Sequence, residues 1–137
     1  MKMTEDEVRR EMARLDGYTV THTPHKVAGW ADHWVLQHPE RQSIPGASEE
    51  DAWLQSPEYL TDFGAVERVA VKQFYSYEIT TNLYGDNPGT TAYVWKYTTP
   101  PAKGFHKTYT AFALCLAIVS AARGERVELE ENEDAQA

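Results

Sequence analysis

Four of the chain's five histidines fall in THTPHKVAGWADHWVLQH, residues 21 to 38, beside two of its four tryptophans. Neutral imidazoles are good zinc ligands, but a metal needs three or four ligands converging on one point. His22, His25 and His33 are the set such chemistry would draw on, for a metal site or for a hydrolase or lyase with or without one. His33 and His38 differ by an odd number, so on a regular strand they point to opposite faces and cannot easily share an ion. No HExxH, CxxC or paired-Asp pattern accompanies them. The plainer reading is hydrogen-bonded histidines on a sheet and its connecting loop.

A second cluster, KGFHKT at residues 103 to 108, precedes a long apolar segment. Backbone N–H groups at a helix start carry partial positive charge and can hold an anion. Lys103, His106 and Lys107 would add charge there, and the Thr108 hydroxyl a donor. Tyr93, Trp95 and Tyr97 alternate just upstream and share one face if the segment is a strand. A flat base could stack on such rings while its phosphate sits at the helix start. GxxxxGK[ST] is absent, so the resemblance to a phosphate loop is loose. The plainer reading packs the rings under a helix and leaves the lysines in solvent.

Catalytic readings have less to stand on. Cys115 lies among apolar neighbours, where a thiol stays protonated and inert. No GxSxG elbow marks a reactive serine. Glu78 is a lone strand carboxylate. The sequence therefore implies no cofactor and no catalytic residue.

The formal charge of −8 is unevenly spread. Six acidic residues against Arg126 occupy 125–137, whereas no acid lies between Asp86 and Glu125, a stretch carrying Lys96, Lys103, Lys107 and Arg123. Overall acidity argues against a nucleic-acid duplex as partner. One cysteine cannot form an internal disulfide, which suits a reducing cytoplasm. The N-terminus is charged throughout, and the apolar run 111–122 is shorter than the roughly 20 residues that span a bilayer, so no membrane is implied.

These residues need elements to hold them. Thr4 and Glu7 form a capping box for a helix over about 4–15, whose Val8, Met12 and Leu15 make a narrow apolar stripe. Residues 18–23 and 33–38 alternate as strands, and 40–47 reads as loop. Ser48 starts a short helix anchored by Trp53. Thr61 or Asp62 caps a helix with Val66, Val69 or Ala70, and Phe74 on its inward stripe. Residues 75–84 and 91–98 form a strand, turn and strand. Two prolines and a glycine make TPPAKGFHK irregular, and a core helix follows from about Thr108 to Arg123, ended by Gly124. The expectation is one α+β domain over 1–124, with helices around a mostly antiparallel sheet of about four strands as an α-β-α sandwich. Residues 125–137 read as an acidic disordered tail. Trp30, Trp34 and Trp53 close the core, or else complete a homo-oligomer or dock a host protein.

YLTDFGAVERVAVKQF, the hairpin after it and FALCLAIVSAARG resemble the small phage-encoded proteins that carry the phage ABA sandwich domain, over about residues 57–124. Tyr59, Thr61 and Asp62 match the opening of that pattern, and Ala113, Cys115 and Ala117 its closing helix. Val66, Glu67 and Arg68 stand where members often carry a tryptophan, and Leu116 where they often carry an arginine. The resemblance implies a fold and a phage setting, but no catalytic residue. Together these features imply a cytoplasmic accessory protein that binds a small anionic, nucleotide-like molecule or occludes a host protein. The alternatives are a histidine- or metal-dependent hydrolase or lyase, and a structural or assembly subunit of a phage.

Overall fold

The computed structural model describes residues 1–23, 33–97 and 100–130. Contacts divide the chain into two units, Met1–Met12 with Glu58–Ala137, and Ala13–Pro57. The class is α+β, with antiparallel three-stranded sheets as the main sheet elements.

The first unit begins with β1 (Lys2–Met3) and helix α1 (Glu5–Leu15), which continues into the second unit. The capping box forms as expected: Thr4 Oγ1 accepts from Glu7 N at 3.2 Å, and Glu7 Oε1 accepts from Thr4 N at 3.1 Å. Hydrogen bonding by the Thr4 backbone N–H, and then by the Thr4 hydroxyl, holds the Glu7 carboxyl below its ordinary range. Helix α3 (Phe63–Lys72) is capped by Asp62, whose Oδ1 accepts from Ala65 N at 3.2 Å. Val66, Val69 and Ala70 are buried, as the apolar period requires. Phe74 departs from the stripe: it lies past the helix end with φ of 61° and its side chain in solvent.

Strands β5 (Ser76–Asn82), β6 (Gly89–Trp95) and β7 (Ala102–His106) form one antiparallel sheet in that order. β7 falls where the sequence reads as irregular. Pro100 and Pro101 precede the strand instead of interrupting it, and β7 lies at a sheet edge, where one side of its backbone needs no ladder partner. Helix α4 (Thr110–Arg123) packs on β6 and β7, and α3 packs on α4 and β5. Every residue from Ala111 to Ser120 is buried, which accounts for a segment apolar all round. Gly104 lies close against α4, for a Cβ there would stand 2.2 Å from Ala113 O. Gly124 ends α4 at φ 72°, in the left-handed region.

After α4 comes β8 (Glu128–Leu129), parallel to β1. Glu128 N donates to Met1 O at 2.9 Å and Glu130 N to Met3 O at 2.7 Å. Ser120 Oγ accepts from Val127 N at 2.9 Å, and Val127 is buried. The segment read as the start of an acidic tail therefore contains a strand, and the remainder of that tail, 131–137, lies outside the described residues.

The second unit holds β2 (Thr19–Thr23), β3 (His33–His38) and β4 (Arg41–Gly46), an antiparallel sheet in that order, with α2 (Glu49–Leu54) packed on it. β4 occupies the stretch read as loop and accommodates Pro45 because it too is an edge strand. Ser48 caps α2 by accepting from Asp51 N at 3.1 Å, and Trp53 is buried. Trp30 lies outside the described residues.

Candidate functional site

A pocket of about 300 Å³ opens in the first unit beside β7. Lys103, Phe105, His106 and Lys107 form one wall, Leu116 of α4 contributes to it, and Lys2 with Arg126, Val127, Glu128 and Leu129 form the rest. Four cationic side chains thus line it against one carboxylate. Arg126 Nε lies 3.4 Å from Glu128 Oε1. Among the described residues, Lys2, Lys103 and Lys107 form no ion pair.

Three of the residues read from the sequence as binding an anion, Lys103, His106 and Lys107, therefore do meet at one pocket. His106 takes a different part from the cation expected of it. Its Nδ1 accepts from Thr108 N at 3.1 Å and from Tyr109 N at 2.9 Å, which requires a neutral ring with the proton on Nε2. The imidazole stacks on Phe112 with centroids 4.3 Å apart and planes 9° apart. Burial, and then the neighbouring Lys107 ammonium, hold its pKa below the ordinary value. His106 thus satisfies N–H groups just ahead of α4 that the sequence reading offers to an anion. Thr108 does not line the pocket and is tied to His106 through its backbone. The charge comes from lysines and an arginine instead.

The rings divide as well. β6 alternates between a buried face, with Thr90, Ala92 and Val94 toward α4, and a half-exposed one with Thr91, Tyr93 and Trp95. Tyr93 pairs with Glu78 on one side and Lys103 on the other, so its ring lies on the sheet face opposite α4. Neither Tyr93 nor Trp95 lines the pocket. Tyr97 lies beyond the strand at φ 51° and is 92% exposed, so it leaves the shared face altogether. The aromatic contribution to the pocket is Phe105, which packs against Gly89: a Cβ on that glycine would stand 2.7 Å from Phe105 Cζ.

Sequence reasoning missed Lys2, Arg126 and Glu128. No local signal identifies them, because the β1–β8 ladder pairs residues 126 positions apart, Lys2 with Glu128. Only the charge contrast between 87–124 and 125–137 hinted that the two stretches attract.

The histidine-rich segment is partly described. His22 pairs with Trp34 across β2 and β3, and their rings stack with centroids 4.3 Å apart. His33 pairs with Thr23, one register step away. His25 lies outside the described residues. His38 is buried, with Nε2 donating to Asp16 O at 2.8 Å and Nδ1 accepting from Glu40 N at 3.1 Å, so both nitrogens serve the fold. Among the described residues, no group of three or more His, Cys, Asp or Glu is placed to hold a metal ion. Cys115 is fully buried with Sγ 3.4 Å from Tyr59 O, and burial pushes its pKa far up, leaving a protonated thiol. Glu78 is exposed on the sheet.

No protein-family model matches the chain, and neither does any curated protein or solved structure. Among the described residues, no helix is long and apolar enough to cross a membrane.

Proposed function

We propose that this protein acts by binding and not by turnover, holding a small anionic, nucleotide-like molecule in the pocket beside β7. The observation that carries this reading is the gathering of Lys2, Lys103, Lys107 and Arg126 around one cavity in a chain of net charge −8. Like charges brought together repel unless an anion sits among them, and a local cationic cleft on an acidic protein attracts such a ligand selectively. The apolar lining by Phe105, Leu116, Val127 and Leu129 suits a ligand with a flat or apolar part next to its charge. The resemblance of residues 57–124 to phage ABA sandwich proteins supports a setting in the bacterial cytoplasm during infection, where removing a nucleotide-derived host signal is useful to a phage.

The test is calorimetric titration of the full chain with adenosine 5′-diphosphate and with inorganic pyrophosphate. Lys103→Ala with Lys107→Ala abolishes binding and leaves the melting temperature nearly unchanged, because both side chains are exposed. Affinity unaltered by the double substitution overturns the reading.

A second reading, occlusion of a host protein, draws on different residues. Phe74 and Tyr97 both hold positive φ with their rings in solvent, and the Ser76–Trp95 pairing brings them to the same end of the sheet. Bulky residues rarely adopt that backbone without a use for it. Phe74→Ser with Tyr97→Ser abolishes capture of such a partner and leaves pyrophosphate binding intact. Undiminished capture removes this second reading.

A further inference from the structure

β5 is an edge strand, with β6 on one side only. Apart from that ladder, Ser76–Asn82 makes no backbone–backbone hydrogen bond among the described residues. The N–H and C=O groups along the other side of such a strand are a template for a further strand. Natural edges are often blunted by basic residues, proline or a bulge, and here β4 carries Arg41 and Pro45 while β7 carries Lys103. β5 has none of these: its 7 residues, SYEITTN, hold an unbroken register with β6. Large apolar side chains stand in solvent at both of its ends. Phe74 is 77% exposed before it, and Leu83 and Tyr84 are 73% and 83% exposed after it.

We infer that β5 pairs antiparallel with β5 of a second copy of this chain, joining the two three-stranded sheets into one. Directly opposed residues point to the same face, so a register that opposes even numbers to even keeps the helices of both copies on one side. The register that pairs the whole strand sets Ser76 opposite Asn82 of the second copy. Ile79, on the helix side with Ala92, then meets its own equivalent. Glu78 falls opposite Thr80, whose hydroxyl donates to the carboxylate. Slipping the register by two residues toward the N-terminus sets Glu78 against Glu78, which like charge disfavours. In the full register Phe74 of each copy arrives where Leu83 and Tyr84 of the other stand, so both ends of the strand lose apolar surface to water together. A two-fold axis thus supplies a matching strand and a matching apolar cluster at each end, which is why the occupant is a second copy. The inference does not rest on the anion site, which lies beside β7 at the opposite edge of the same sheet. A host protein docked on Phe74 competes with the second copy.

One strand pair with a few side chains at each end is a small interface, so the dissociation constant is on the order of 10 µM. Sedimentation velocity on the full chain between about 1 and about 200 µM therefore shows monomer passing to dimer. Leu83→Ser with Tyr84→Ser leaves it monomeric throughout. Thr80 is exposed on the face opposite the helices, so its charge can be changed without touching the core. Thr80→Glu sets two like-charge pairs across the axis and weakens the dimer about tenfold, whereas Thr80→Lys sets two opposite pairs and tightens it about threefold. Glu78→Lys with Thr80→Lys weakens it again, although it brings the net charge of −8 nearer to zero. If net charge alone governed association, that double substitution would tighten it, and such a result overturns the inference. A native chain that stays monomeric to about 200 µM overturns it too and leaves Phe74 to the host-protein reading. A dimer indifferent to the substitutions at Thr80, Leu83 and Tyr84 forms through another surface, with the same consequence.

Discussion

Gly104→Ala tests whether the packing of β7 on α4 both stabilises the first unit and builds the pocket. A Cβ at that position would stand 2.2 Å from Ala113 O, 2.4 Å from Ala117 N and 2.9 Å from Leu116 Cβ. The first two are backbone atoms of a helix and cannot rotate aside. Restoring an ordinary separation of about 3.5 Å requires strand and helix to part by about 1 Å, enough to forfeit up to half the dispersion energy along the seam. Ala92, Val94, Leu116 and Ala117, all buried, share that loss. The expected cost is about 3 kcal/mol, the upper end of the range for an overpacked core. For a chain of this length that lowers the melting temperature by roughly 10 °C, read by circular dichroism. Pyrophosphate binding falls as well, since Lys103, Phe105 and His106 move with β7 while Leu116 moves with α4. A Gly104→Ala protein that melts within about 2 °C of the native chain and binds normally would refute the seam as described.

Gly64→Ala supplies the opposite sign: its Cβ meets only Asp62 Oδ1 at 3.4 Å, inside helix α3. It should raise stability by about 0.5–1 kcal/mol in urea denaturation, and a loss would show the site to be tighter than drawn. His106, with its pKa depressed by burial and by Lys107, contributes stability that is fully present above its ordinary value of 6.5. The unfolded chain takes up that proton first, so this stability is lost as pH falls below 6.5 and through the folded pKa. His106→Gln should flatten the decline in urea midpoint between about pH 7.5 and about pH 5, and parallel profiles for the two proteins would contradict it. Cys115, buried and protonated, should react with a disulfide reagent only at the rate of unfolding. A fast reaction in native buffer would place the thiol elsewhere.

Some of this protein is decided within a few residues of chain, and the sequence alone therefore determines it. Thr4 with Glu7, Ser48, Asp62 and Gly124 end their helices through bonds that reach no further than three or four positions. The burial of α4 follows from an apolar segment with no polar face to turn outward. The gathering of Lys103 and Lys107 is likewise local. What only the tertiary structure decided is what those lysines face. The opposite wall comes from Lys2, Arg126 and Glu128, set by a ladder between the two ends of the chain and by the Ser120–Val127 bond that turns the segment back along α4. The same holds for β7, whose glycine reads as an interruption until a helix needs its missing side chain. It holds for His106 as well, whose ring serves backbone N–H groups and a phenyl face in place of an anion. Periodicity and capping are short-range and leave a mark in neighbouring residues. Which surfaces meet depends on the burial gained by contacts distant in sequence, and no neighbour records that.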